Sequence, residues 1–136
     1  MSGALRAYES MQRIFLRLSA QDPVNAEWQY NLSLGHEKIG DARLALRDVS
    51  GARRAYEAGK ELSDRLVATD SGNATWQRGL VVSHAKLSLV AREAGQHDEE
   101  RQHLLRCRDV LQEMRQRGMY IDPSMASLSE DPEQMP

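Results

Sequence analysis

The chain has little of what several classes of protein require. Cys107 is the one cysteine among 136 residues, so no internal disulfide can form. Such scarcity is typical of proteins in a reducing cytoplasm, which is the location we expect. No apolar run approaches the roughly 20 residues of a membrane span, and the N-terminus has no signal-peptide hydrophobic stretch. We therefore expect no membrane partner.

An excess of basic charge is also missing. The sequence has 18 Lys and Arg against 20 Asp and Glu, whereas a nucleic-acid or anionic-membrane binder needs a clear basic excess. We therefore expect no nucleic-acid partner. Aromatic residues make up 5% of the chain, while Ala, Leu, Arg and Glu are abundant and β-branched residues are few. This composition favours helices.

The chain repeats itself with a period of 48 residues. Residues 2–9 and 50–57 agree at seven of eight positions, and residues 2–38 agree with 50–86 at 18 of 37 positions. Self-similarity at a fixed period predicts an array of one repeated structural unit.

Caps and breakers predict five helices. Ser2, Ser50 and Asp98 lie 48 residues apart, and each can accept a hydrogen bond from the free amides of a first helical turn. The turn sequences 22–25 and 70–73 mark the starts of the other two helices. The predicted helices span 2–20, 24–47, 50–69, 73–95 and 98–117.

We call the two helices that carry Trp28 and Trp76 the A helices and the other three the B helices. Apolar residues recur in each at alternating steps of three and four, which predicts one buried stripe per helix. The second A helix is the most apolar, so we expect it to be the most buried. Cys107 falls within an apolar stripe, which favours a buried thiol over a nucleophile.

The repeats divide the chain into a repeat domain, 1–118, and a C-terminal segment. The domain comprises a half repeat, 2–21, and two full repeats, 22–69 and 70–117. The segment 119–136 begins like another A helix and then loses the pattern at prolines. We expect it to be a truncated repeat with a disordered tail.

Trp28, the Ala52-x-x-x-Tyr56 motif and the Asp22-Pro23 turn resemble the tetratricopeptide repeat. The unit is about 14 residues longer than the ordinary 34, or about one heptad more in each helix, which keeps the buried stripe pointing the same way. The phrases at 22–33 and 36–41 are similar to the long-helix arrays of large bacterial proteins. The resemblance implies an all-α superhelical array of antiparallel hairpins that serves in binding or oligomerisation.

The histidines offer two interpretations. His36, Lys38, His84 and Lys86 lie at equivalent repeat positions and would suit paired metal ligands or an anion site. Simple copying of side chains by the repeat is favoured, because metal sites need three or four convergent ligands. His103 follows acids that complement a helix dipole, so we read that segment also as structural.

Phosphate loops, nucleophile elbows and HExxH motifs are missing from the sequence. We therefore expect no enzyme activity, cofactor or metal, and keep an enzyme or small-molecule sensor only as a minor alternative, which a deep polar pocket would favour. The leading hypothesis is a scaffold whose A helices line a groove for a protein segment that carries carboxylates. The predicted groove residues are Gln29, Asn31, His36, Lys38, Arg43, Gln77, Arg78, His84 and Lys86.

The first B helix supports a second hypothesis. It has no A helix before it, so part of its apolar surface is expected to lie open to a second copy of the chain. This alternative is a homodimer, or an oligomerisation or regulatory module of a larger bacterial signalling protein. The predicted self-association residues are Tyr8, Met11, Ile14, Phe15 and Leu18.

Overall fold

The computed structural model describes residues 2–129, with side chains from residue 3 onward, and this part of the chain is helical without strands. The elements are α1 Ser2–Gln21, α2 Ala26–Ala45, α3 Val49–Thr69, α4 Ala74–Glu93, α5 His97–Gln116 and a 3-10 helix Pro123–Ser129. Each α-helix bound lies within two residues of its predicted position, and the all-α class is confirmed. The tail predicted to be disordered is 129–136: Ser129 is instead the last residue of the 3-10 helix, and 130–136 lie outside the described residues.

The A helices α2 and α4 begin in the same way. Asn25 and Asn73 are their N-caps, and each side-chain oxygen accepts a hydrogen bond from the backbone amide three residues later, Trp28 or Trp76, at 3.1 Å. Because the caps lie 48 residues apart, the sequence repeat is also a repeat of local geometry. Both tryptophans are half-buried.

The predicted caps of the B helices are wrong where the structure describes them. Asp48 caps α3 by accepting from the Gly51 amide at 2.9 Å, and Ser50 lies inside the first turn. Helix α5 has Gln96 at its N-cap without a side-chain hydrogen bond, and Asp98 also lies within the first turn. Both helices begin earlier than predicted because the preceding turn ends earlier. The side chain of Ser2 lies outside the described part of the chain.

The turns from A helix to B helix depend on a left-handed residue. Arg47 and Gly95 occupy the same repeat position with φ of 62° and 71°. The amide of the following residue donates to the carbonyl five positions earlier, at 2.9 Å after Arg47 and 2.8 Å after Gly95. This arrangement satisfies carbonyls at the helix end and reverses the chain within three residues. Gly118, with φ of 73°, ends α5 similarly.

The α-helices pack as an open row in chain order. Each of α2, α3 and α4 lies between its sequence neighbours, and the 3-10 helix packs on α5. One apolar cluster joins α4, α5 and the 3-10 helix, and a second joins α3 and α4. Helix α4 contributes to both clusters, with Val81 and Val90 fully buried. The second A helix therefore carries much of the core, as the sequence predicts.

Two glycines set the spacing between α2 and α3. A β-carbon on Gly40 would overlap the ring of Tyr56, and a β-carbon on Gly59 would lie 3.3 Å from the backbone carbonyl of Ser33. Hence α2 and α3 approach each other more closely than larger residues would allow.

Candidate binding surface of the A helices

The A helices present one stripe of side chains in each repeat, which we call the A-helix stripe. On α2 it consists of Leu34, Lys38, Asp41 and Ala45. On α4, 48 residues later, it consists of Val82, Lys86, Leu89 and Glu93. Leu34 is 37% exposed and Leu89 is 45% exposed. Spacings of four, three and four residues place each set on one side of its helix, so the repeat displays leucine and charged side chains together.

Asp41, within this stripe, connects α2 with α3 and α4. Its Oδ1 accepts a hydrogen bond from the Tyr56 hydroxyl at 2.5 Å and forms an ion pair with Lys86 Nζ at 3.0 Å. Burial, and then the hydrogen bond to Asp41, raise the pKa of Tyr56, which keeps the phenol a neutral donor. Lys86 therefore holds α4 to α2, and its charge is already matched within the chain.

The predicted groove residues Gln29 and Gln77 lie in the first turns of α2 and α4, and their side chains bond to the preceding loops. Gln77 is 1% exposed, and its side-chain amide donates to the Ser71 carbonyl at 2.9 Å. The amide of Gln29 donates in the same way to the Pro23 carbonyl. The prediction that Gln77 points outward is wrong, because its amide satisfies a loop carbonyl six residues earlier. Sequence reasoning missed this loop-closing pair, although identical glutamines after identical caps were its signal.

The two predicted groove arginines are also engaged. Arg43 pairs with Asp48 at 3.0 Å and approaches Glu9 at 4.0 Å, where α1 and the α2–α3 turn meet. Arg78 is exposed and pairs with Asp122 at 2.6 Å. Arg43 lies at the junction of three elements, and Arg78 ties α4 to the segment before the 3-10 helix.

His84 faces the interior, which contradicts its predicted place in the groove. It is 3% exposed, and its Nδ1 lies 3.0 Å from Nδ1 of His103. Nε2 of His103 lies 3.8 Å from the Glu99 carboxylate. That carboxylate favours the proton on Nε2 of His103, so its Nδ1 accepts and Nδ1 of His84 donates. Nε2 of His84 has no hydrogen-bond partner among the described residues.

Burial determines the charge of this histidine pair. Burial chiefly, with His103, Lys60 and Arg106, lowers the pKa of His84 to about 4. The pKa of His103 is lowered as well, chiefly by burial. Both imidazoles are therefore neutral at pH 7. Within residues 3–129, no three His, Cys, Asp or Glu side chains converge as a metal site.

Lys38 is the predicted groove residue most available to a partner. It is exposed and forms no ion pair with any residue between 3 and 129. His36 and Asn31 are half-buried, and burial lowers the pKa of His36. The structure thus brings Lys38 together with Leu34 on one turn of α2, while most other predicted groove residues link parts of the fold.

The predicted self-association face divides into two parts. Met11 and Ile14 are 52% and 55% exposed, whereas Tyr8, Phe15 and Leu18 are half-buried. The side of α1 that meets α2 is centred on Gln12, a residue that the sequence did not single out. Gln12 is 4% exposed, and its Nε2 donates to the Leu32 carbonyl at 3.0 Å.

Cys107 lies in the core between α4 and α5. It is fully buried, with Sγ 3.5 Å from the Val81 carbonyl. Burial raises the pKa of its thiol to about 12, so the reactive thiolate is scarce at neutral pH. The predicted buried position is confirmed.

Comparison of the chain with protein-family models, curated proteins and solved structures found no match. Among the described helices, none combines the length and apolar character that crossing a membrane requires.

Proposed function

We propose that the chain is a non-enzymatic protein-binding module that holds a segment of a partner on its A-helix stripe. The observation that carries the proposal is the exposed pair Leu34 and Lys38, which lie one turn apart on α2. Apolar anchors beside a charge that the fold leaves unmatched are typical of peptide-binding surfaces. The resemblance of the repeat to tetratricopeptide arrays supports the same function.

The expected partner segment is acidic and partly apolar. Lys38 offers a cation without a partner in the described chain, and Leu34 offers apolar surface next to it. A carboxylate on the segment would pair with Lys38 while an apolar side chain covers Leu34. This pairing is exposed, so it contributes modestly to affinity and weakens as salt screens it. The balanced charge and the single cysteine favour a cytoplasmic setting.

Selection from a displayed library of random peptides tests this proposal without a known partner. We expect the purified chain to enrich peptides that combine Asp or Glu with an apolar residue. Binding of the selected peptides should fall at least tenfold with Lys38→Glu and with Leu34→Glu. Arg65→Glu on the exposed side of α3 is the matched charge-reversal control. Equal binding by the Lys38 variant and the control would contradict the assignment, provided circular dichroism shows both folded.

Self-association is a second candidate, favoured by the exposed Met11 and Ile14 on α1. Burying these side chains against a second copy would remove apolar surface from water. Sedimentation velocity at two concentrations tests this candidate. We expect a concentration-dependent dimer that Ile14→Glu converts to monomer, whereas a wild-type monomer at both concentrations would eliminate it.

A further inference from the structure

A groove of about 280 Å³ lies between α4 and α5, with the 3-10 helix at one end. Leu89 and Leu104 form its apolar floor, and Leu89 is 45% exposed. Arg92 and Glu100 pair with each other at 3.1 Å on its edge. The groove therefore combines open leucine surface with an ion pair whose charges are already matched.

The 48-residue repeat shows what covers the equivalent surface elsewhere in the chain. Ser88, Leu89, Arg92, Glu100 and Leu104 correspond in order to Gly40, Asp41, Leu44, Ala52 and Tyr56. A helix occupies that earlier surface: Leu87 and Val90 of α4 share a cluster with Ala52, Tyr56 and Leu44. Lys86 of the same helix pairs with Asp41. In the preceding repeat, therefore, the equivalent surface has a helix packed on it.

The 3-10 helix supports the correspondence at the other end of the groove. Leu128 lines the groove there and stands 48 residues after Leu80. Leu80 is a buried residue near the start of α4, the helix that fills the earlier surface. The 3-10 helix ends at Ser129, so a docked helix would occupy the groove beyond Leu128.

We propose that this groove binds an amphipathic helix of a partner protein, which packs on α5 and α4 as α4 packs on α3 and α2. The differences between the two surfaces specify its chemistry. Leu89 replaces Asp41, so the residue facing it should be apolar where α4 has Lys86. Leu104 replaces Tyr56, so the residue of the docked helix next to it should remain apolar. The Arg92–Glu100 pair calls for a polar residue where α4 has Val90.

A synthetic helix derived from α4 tests the inference by fluorescence anisotropy. The probe is a labelled peptide of residues 81–93, the part of α4 beyond Leu80, that carries Lys86→Leu and Val90→Gln. We expect it to bind the full chain at least tenfold more tightly than the unaltered peptide, because a lysine facing Leu89 would lose its water without gaining a carboxylate. Equal binding of the two peptides would overturn the proposal.

Two chain variants locate the binding site. Leu89→Glu should weaken binding of the altered peptide at least tenfold, while Leu34→Glu, a matched change at a leucine of similar exposure on α2, should leave it unchanged. Loss with Leu34→Glu alone would place the peptide on the α2 part of the A-helix stripe, away from the groove, and overturn the inference. Binding that survives Leu89→Glu would also overturn the inference. It would indicate that the peptide takes the place of α4 in the fold, where it does not contact Leu89.

The oligomeric state shows whether a second copy of the chain, rather than a partner helix, occupies the groove. If Leu89→Glu converted a wild-type dimer to a monomer in sedimentation, a second copy would occupy the groove and the inference would fail. Leu34 and Lys38 lie outside this groove, so selection of acidic peptides on the α2 part of the stripe and binding of the altered α4 peptide succeed or fail separately.

Discussion

Acid should destabilise this protein through His84. In the folded chain burial lowers the pKa of His84 from 6.5 to about 4, while in the unfolded chain the ordinary value applies. One unit of pKa corresponds to about 1.36 kcal/mol, so a difference of about 2.5 corresponds to about 3 kcal/mol of unfolding free energy. That is a large part of the ~5–15 kcal/mol that stabilises a typical domain.

The sign follows from which state binds the proton. Between pH 6.5 and pH 4 the unfolded chain is protonated at this histidine and the folded chain is not, so unfolding takes up a proton. The stability is fully present above pH 6.5 and is lost as pH falls towards 4. The lowered pKa of His103 acts in the same direction.

Charged residues around His84 and His103 determine how much stability is lost in acid. Lys60 of α3 and Arg106 of α5 disfavour a charged His84, while Asp64 of α3 favours it. Around His103, Glu99 of α5 and Glu57 of α3 favour the charge, whereas Lys60 and Arg53 of α3 oppose it. For both imidazoles, burial is the largest effect, and the neighbouring carboxylates do not reverse it.

Urea unfolding followed by circular dichroism between pH 7.5 and 4.5 measures this effect. His84→Gln keeps a polar side chain that cannot titrate, so it should remove up to about 3 kcal/mol of the pH dependence. His36→Gln, at the equivalent position in the preceding repeat, is the matched control and should remove less, because His36 is only half-buried. If wild type and His84→Gln lose stability in parallel over this range, the reasoning is refuted.

Four further predictions concern the backbone and the core. Gly40→Ala should lower the unfolding free energy by about 1–2 kcal/mol, because the overlap with Tyr56 outweighs the gain in helix propensity. Arg47→Gly should raise the unfolding free energy by about 0.5–1 kcal/mol, and Gly95→Ala should lower it by about 1 kcal/mol, since both positions have positive φ. Urea midpoints test these two variants and Gly40→Ala. Cys107 should resist a thiol reagent until denaturant is added, and rapid labelling of the folded chain would contradict its burial.

Much of the fold could be predicted because its determinants are local. The asparagine caps before Trp28 and Trp76, and the three- and four-residue spacing of apolar side chains, act within one helix. The candidate site was harder to predict. Of the positions predicted to face outward, Gln77 and His84 are buried. Lys38 remained available, while Lys86 at the same repeat position was paired with Asp41. That difference depends on a neighbouring helix, and the repeat copies side chains without copying their neighbours.

By itself, the sequence determined the helices, their order and the register of the repeat, since each follows from caps, spacing and self-similarity along the chain. Only the tertiary structure decided which polar side chains meet. His36 and His84 are equivalent in sequence, yet the residue equivalent to His103 in the preceding repeat is Ala55. Packing of α5 on α4 therefore creates the histidine pair, because contacts between helices depend on both partners and only one of them was repeated.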